Sequence, residues 1–190
     1  MDFNNVYCVF SSFFIVVIFY APLVAEQIKA AIASVGTQEA GTTSPLWLIY
    51  NNLTVDFMMY FGSIFFGIGA IGGTIFNAVN IGLASAIFSA KMSNGLMYYL
   101  IYLIPHGIFE FTSFITAGVA GMVLFKFIWN FIKSLRKNGG DSRISSSYNE
   151  NKQILIHSIA LLIFAIILMI IAAPIESYIS VPFANLIMGI

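Results

Sequence analysis

The sequence predicts an all-α fold, a polytopic transmembrane helical bundle of about five crossings with broken or re-entrant helices. Three observations predict it. Hydrophobic residues fill 59% of the 190 positions and charged residues only 8%, well outside the usual balance of a soluble domain. Several apolar segments reach the roughly 20 residues a helix needs to cross hydrocarbon. Polar, glycine and proline residues gather where those segments end, as expected when lipid leaves backbone groups no partner outside a helix.

Taken in order, residues 9–25 form the first expected crossing, free of charge until Glu26 and Lys29 close it. The chain opens Met1-Asp2-Phe3-Asn4-Asn5, without the basic stretch of a cleavable signal, so this helix is expected to be retained. Residues 26–46 turn small and polar, ending Gly41-Thr42-Thr43-Ser44-Pro45, the composition of an extramembrane segment. Trp47 and Tyr50 follow as interface anchors.

The run 53–90 carries one charge, Asp56, and as a single helix would be about 57 Å long against a core of ~30 Å. It must turn back. Asn77 and Asn80, costly in lipid without partners, mark the expected turn, giving crossings at 55–76 and 78–90. Pro105 and Gly107 likewise interrupt 96–131, which predicts a short re-entrant piece and then a crossing at 107–130.

Residues 131–153, with Asn138-Gly139-Gly140 and Ser145-Ser146-Ser147, read as a second extramembrane segment, a flexible loop. The last span is 154–173, and the tail 178–190 is too short to cross untilted. Lys126, Lys133, Arg136, Lys137, Arg143 and Lys152 surround the 131–153 loop and assign it to the cytoplasm. The whole chain, 1–190, is thus one integral domain in the cell membrane, with multiple passes.

Composition also excludes partners. Net charge is zero, so nothing suggests nucleic acid. One cysteine, Cys8, allows neither an internal disulfide nor a Cys pair for metal or redox chemistry. The chain has no His-Glu-x-x-His pair and no Gly-x-Ser-x-Gly elbow, and Gly62-Ser63 alone makes no nucleophile. No catalytic residue and no cofactor are expected. His157, beside the loop, is expected to be an interfacial donor.

The informative residues are the ionisable groups inside apolar segments, each costing at least ~2.5–3.5 kcal/mol on insertion scales. His106 and Glu110 stand four apart and share a helix face. Ser113, Ala117 and Gly121 continue that stripe, while Phe114, Met122 and Phe125 face away, toward lipid. Gly62, Gly69, Gly73 and Asn77 form a small-residue face, expected to pack on the His106 stripe. His106, Glu110, Glu176, Asn77 and Asn80 are the candidate functional polar residues.

Their simplest role is to brace a break at Pro105 by hydrogen bonds across helices. A proton or ion path is the alternative. A metal site with Glu176 as third ligand offers a thin set for zinc, and no metal is expected. Asn52-Leu53-Thr54 matches a glycosylation sequon, but its place at a span edge favours an interfacial hydrogen-bonding role.

Pro105-His106-Gly107-Ile108-Phe109-Glu110, followed by Ile115-Thr116-Ala117-Gly118, resembles the signature of the stage II sporulation protein M family. Asn51-Asn52, Asn77 with Gly82, and Ala172-Ala173-Pro174-Ile175-Glu176 agree in order, so the resemblance spans most of the chain. Pro105, Gly107, Asn51 and Asn52 are its structural positions. Thr112 stands where the family usually has a proline, and Asn77-Ala78 replaces the usual Asn-Gly. The resemblance implies a non-enzymatic membrane scaffold that organises cell-envelope or membrane-remodelling partners. A small transporter or channel subunit using His106 and Glu110 is the rival from another class, and an intramembrane metal-dependent hydrolase is the third. A homo-oligomer is expected, since a chain this small has little room for a pore or docking groove.

Overall fold

The structure, a computed structural model, describes residues 44–137 and 142–190. The first expected crossing, Cys8, nearly all of the 26–46 segment and Asn138-Gly139-Gly140 lie outside the described residues. Within them the chain is helical, without strand: α1 (Pro45–Gly62), α2 (Ile68–Lys91), α3 (Gly95–Lys137), α4 (Arg143–Ile175), a π-helical turn (Glu176–Ser180) and α5 (Val181–Met188). Among the described residues, three stretches are long and apolar enough to cross a membrane, namely Ile68–Lys91, Gly95–Lys137 and Arg143–Met188.

α1 starts on Pro45, whose missing N–H costs nothing in a first turn. It stops at Gly62, and Phe66 (φ 57°) and Gly67 (φ 77°) are both left-handed, a pair that reverses the chain. The reversal therefore lies at 63–67 and not at Asn77 and Asn80, through which α2 runs unbroken. Divided at Gly67, the run gives helices of about 27 Å and 36 Å, so no further break is needed. Glycine makes the reversal possible, because most L-residues are strained at positive φ.

The glycine face of α2 is turned toward α1. A Cβ on Gly69 would fall 2.5 Å from the Ser63 amide nitrogen, and one on Gly73 would strike the Met59 side chain. The expected packing of this face on the His106 stripe is thus replaced. The stripe itself meets α1 and α4, where Ala117 and Ala165 are completely buried. Close approach follows from small side chains, as in membrane helix pairs generally. Phe114 packs on the Val55, Met59 and Phe76 cluster, and Phe125 lies 5.1 Å from the Phe66 ring. Of the three bulky residues assigned to lipid, only Met122 is mainly exposed.

α3 passes through Pro105 without interruption, so the expected re-entrant piece is absent. A proline removes one backbone hydrogen bond, a loss that neighbouring helices can absorb. The 43 residues of α3 make a rod of about 64 Å, roughly twice a bilayer core. Its surplus extends past the α1–α2 turn as one arm of a hairpin with α4. The expected flexible loop 131–153 is therefore mostly helix. Ser134 Oγ donates to Glu150 Oε2 at 2.8 Å, and Asn151 Nδ2 donates to Ser134 Oγ at 3.1 Å. Pairing satisfies polar groups that sequence alone assigned to water.

At the other end the tail is no separate piece. α4 continues through the π-turn into α5, extending the 154–173 span to Met188. Isoleucines 163, 167, 170 and 171 on α4 are exposed, the surface a lipid-facing helix presents.

Candidate functional site

Roughly a third of the way along α3, three segments deliver polar side chains to one place. The helical repeat sets His106 and Glu110 on the inner face of α3. α1 runs alongside and brings Asn52, whose Nδ2 donates to Glu110 Oε1 at 2.7 Å. From the C-terminal stretch come Glu176, accepting from Tyr102 Oη at 3.0 Å, and Ser180, 2.8 Å from His106 Nδ1. One ligand atom from each of His106, Glu110 and Glu176 lies within 4.8 Å of the others. His106 is 2% exposed.

Both C-terminal members of the cluster stand at the ends of the π-turn. It begins at Glu176 and ends at Ser180, and such turns are rare and concentrate at functional sites. Ser180 Oγ also donates to the Ile175 carbonyl at 3.2 Å. When that hydrogen is so used, the His106 tautomer with Nδ1–H donates to Ser180 and leaves the lone pair on Nε2. The Tyr102 ring stands edge-on to the imidazole with centroids 5.1 Å apart.

A second polar layer lies one helical turn away. Asp56 is completely buried, and Ser113 Oγ lies 2.7 Å from its Oδ2 and 2.8 Å from the Ala165 carbonyl. One hydroxyl hydrogen thus faces two acceptors, while Asp56 Oδ1 has no hydrogen-bond partner among the described residues. Beyond it, Tyr60 Oη meets Ser158 Oγ at 3.0 Å, and Ser158 donates to the Ala120 carbonyl.

Among the described residues, the charged groups facing Glu110 are Glu176 and Asp56, both acidic. No lysine or arginine occurs in α1, in α3 before Lys126, or after Lys152. Lys126 lies about 24 Å along α3 from Glu110. The donor set of one imidazole and two carboxylates can therefore hold a cation or share a proton.

Of the residues singled out from sequence, His106, Glu110, Glu176 and Asn52 come together. Asn51 sits at the edge, 3.3 Å from Asn52. Asn77 and Asn80 do not join, and Asn77 Nδ2 is buried without a hydrogen-bond partner among the described residues. Pro105 stays within the helix, and the nearest side chains to a Cβ on Gly107 would be Leu103 and Phe111 of α3 itself. Asp56, Tyr102 and Ser180 are the residues sequence reasoning passed over. Asp56 carried a signal, being the one charge between Leu53 and Ala90. Tyr102 and Ser180 carried none, since each matters only through its partner.

Fold and cluster define a helical bundle with helices of membrane-spanning length closed around a buried polar centre. The chain matches the description "Stage II sporulation protein M" over residues 6–181. It belongs to the stage II sporulation protein M family. A stretch of 75 residues is 40% identical to an uncharacterised protein of Methanocaldococcus jannaschii, covering 39% of this chain and 41% of that relative. The match spans about two fifths of that relative's length. No solved structure matches.

Proposed function

We propose that this protein is a multi-pass, non-enzymatic scaffold of the cell membrane, with α1–α4 in lipid and the tip of the α3–α4 hairpin in the cytoplasm. One observation carries the reading. The hairpin extends past the α1–α2 turn as two hydrogen-bonded helices, cross-braced by Ser134, Glu150 and Asn151. Six basic residues surround its tip, which agrees with a cytoplasmic place. A braced arm outside lipid, on a chain with little other extramembrane mass, is a surface for envelope or membrane-remodelling partners.

Residues 9–25 together with α1–α4 make the five crossings, and the protein works as a homo-oligomer. Cross-linking in native membranes tests both contacts. A scaffold gives self-adducts and hetero-adducts through single cysteines at 144 or 148, both exposed on the arm. Absence of hetero-adducts at both positions refutes docking through the arm.

The buried cluster favours a second reading, a small transporter or channel subunit. Counted along α3, Glu110 lies about 18 Å from the level of Met122 at the α1–α2 turn, which is inside a hydrocarbon core of ~30 Å. Buried ionisable groups at such depth mark ion pathways. Cation flux into liposomes that disappears with Glu110→Gln would replace the scaffold by this reading.

A further inference from the structure

We propose that His106, Glu110 and Glu176 form a binding site for one divalent first-row metal ion, with Mn2+ and Zn2+ as the ions that suit an imidazole and two carboxylates. The inference holds whether the protein docks partners or moves ions.

Three independent features point to a cation. The first is charge. Two carboxylates and a neutral imidazole around one divalent ion sum to zero, whereas the carboxylates alone would stand as two like charges in a medium that penalises each severely. Among the described residues, the charged groups acting on Glu110 are both acidic, Glu176 and Asp56.

The second feature is the support behind each ligand. Bound ligands are characteristically held by an outer ring of hydrogen bonds. Here Tyr102 Oη donates to Glu176, Asn52 Nδ2 donates to Glu110, and Ser180 Oγ engages His106 Nδ1. In the tautomer that directs Nδ1–H to Ser180, Nε2 carries the lone pair that would face the ion. Each ligand thus rests on a side chain from another segment, so the ion would tie α1, α3 and the π-turn together.

The third is Asp56. A fully buried carboxylate with one oxygen lacking a hydrogen-bond partner among the described residues sits in the adjoining layer, within Coulombic reach of Glu110. An unmatched acceptor beside two acids marks a region short of positive charge. A divalent ion at the triad cancels the charge of the two acids, so that Asp56 no longer faces uncompensated like charge.

Geometry permits closure. Ligand atoms around a tetrahedral ion at 2.0–2.2 Å stand about 3.3–3.6 Å apart. The triad's atoms lie within 4.8 Å of one another, so rotation of flexible glutamate side chains by roughly 1 Å completes the set. The protein supplies three ligands, and the remaining positions are left for water or an anionic oxygen.

The test uses the full chain in detergent, stripped with chelator and then titrated with MnCl2, with ZnCl2 as competitor. The expected result is one tight Mn2+ per chain, showing 14N hyperfine coupling in pulsed electron paramagnetic resonance, displaced by Zn2+. Glu110→Gln and Glu176→Gln should each weaken binding at least 100-fold. Tyr102→Phe removes only an outer hydrogen bond and should weaken it about 10–100-fold, which keeps the test open if a glutamate variant does not fold. Absence of a stoichiometric ion, binding without nitrogen coupling, or affinity unchanged in Tyr102→Phe and in both glutamine variants would each overturn the proposal.

Discussion

Gly121 is a point of close approach between α3 and the end of α1, and adding one methyl group there has a calculable effect. A Cβ on Gly121 would press on the Tyr60 carbonyl oxygen and lie 2.6 Å from Ser63 Cβ and 3.0 Å from Tyr60 Cα. Ordinary contact begins at 3.4 Å, so the helices must part by at least about 0.8 Å. Two of the three obstructing atoms belong to backbone, which has no rotamer to yield, and overpacking of this kind costs about 1–3 kcal/mol. Gly82 on α2 is the control, because a Cβ there meets nothing within 4 Å. Both substitutions gain the same helix propensity, up to about 1 kcal/mol, so that gain cancels in the comparison. Gly121→Ala should therefore be less stable than Gly82→Ala by about 1–3 kcal/mol. Thermal unfolding in one detergent, read by circular dichroism, measures the difference as roughly 2–12 °C for a chain of this size. Equal midpoints would refute the claimed contact between α1 and α3.

Other perturbations separate the layers of the bundle. Asn52→Leu leaves Glu110 Oε1 without its donor, which should cost about 1–3 kcal/mol in the same assay, with Asn51→Leu as the milder comparison. Ser158→Ala removes the partner of Tyr60 and the bond to the Ala120 carbonyl. A loss of about 0.6–1.7 kcal/mol is expected from measured hydrogen bonds between membrane helices, and Tyr60→Phe should add little on top of it. Replacing Cys8 by serine and placing single cysteines at Ser142 or Ser93 tests orientation. Position 142 should react with impermeant maleimide only from the cytoplasmic face and position 93 only from the opposite one.

The fold class was legible because lipid-facing helices need no partners to reveal themselves: their length and apolar content are written locally. The need for a turn within 53–90 was legible for the same reason, being a matter of length. Its place was not. Asn77 and Asn80 drew attention as polar groups in an apolar run, yet the chain reverses at Phe66-Gly67, where the deciding property is a left-handed backbone that Phe66 gives no hint of. Pro105 misled in the opposite direction, since whether a proline breaks a helix depends on the neighbours that absorb the lost hydrogen bond. Of the cluster, His106 and Glu110 could be paired from spacing alone. Glu176 is 66 residues farther on than Glu110, and only the antiparallel return of α4 brings it back. Asp56 was visible as a lone charge, but its significance arises from Ser113 and the Ala165 carbonyl, which no local pattern connects to it.

The π-helical turn has a bearing on how relatives of this chain could differ in length. A five-residue turn holds one more residue than the α-helix around it. Deleting a single residue between Glu176 and Ser180 would wind the segment back to ordinary pitch and leave Ala184 and Asn185 facing α3 as they do now. The same deletion elsewhere in α4 would swing them about 100° around the axis and pull Asn185 away from Tyr98, whose hydroxyl donates to it at 2.9 Å. The C-terminal helix thus tolerates a change of length at one place, and that place is where the polar centre gets its glutamate and its serine.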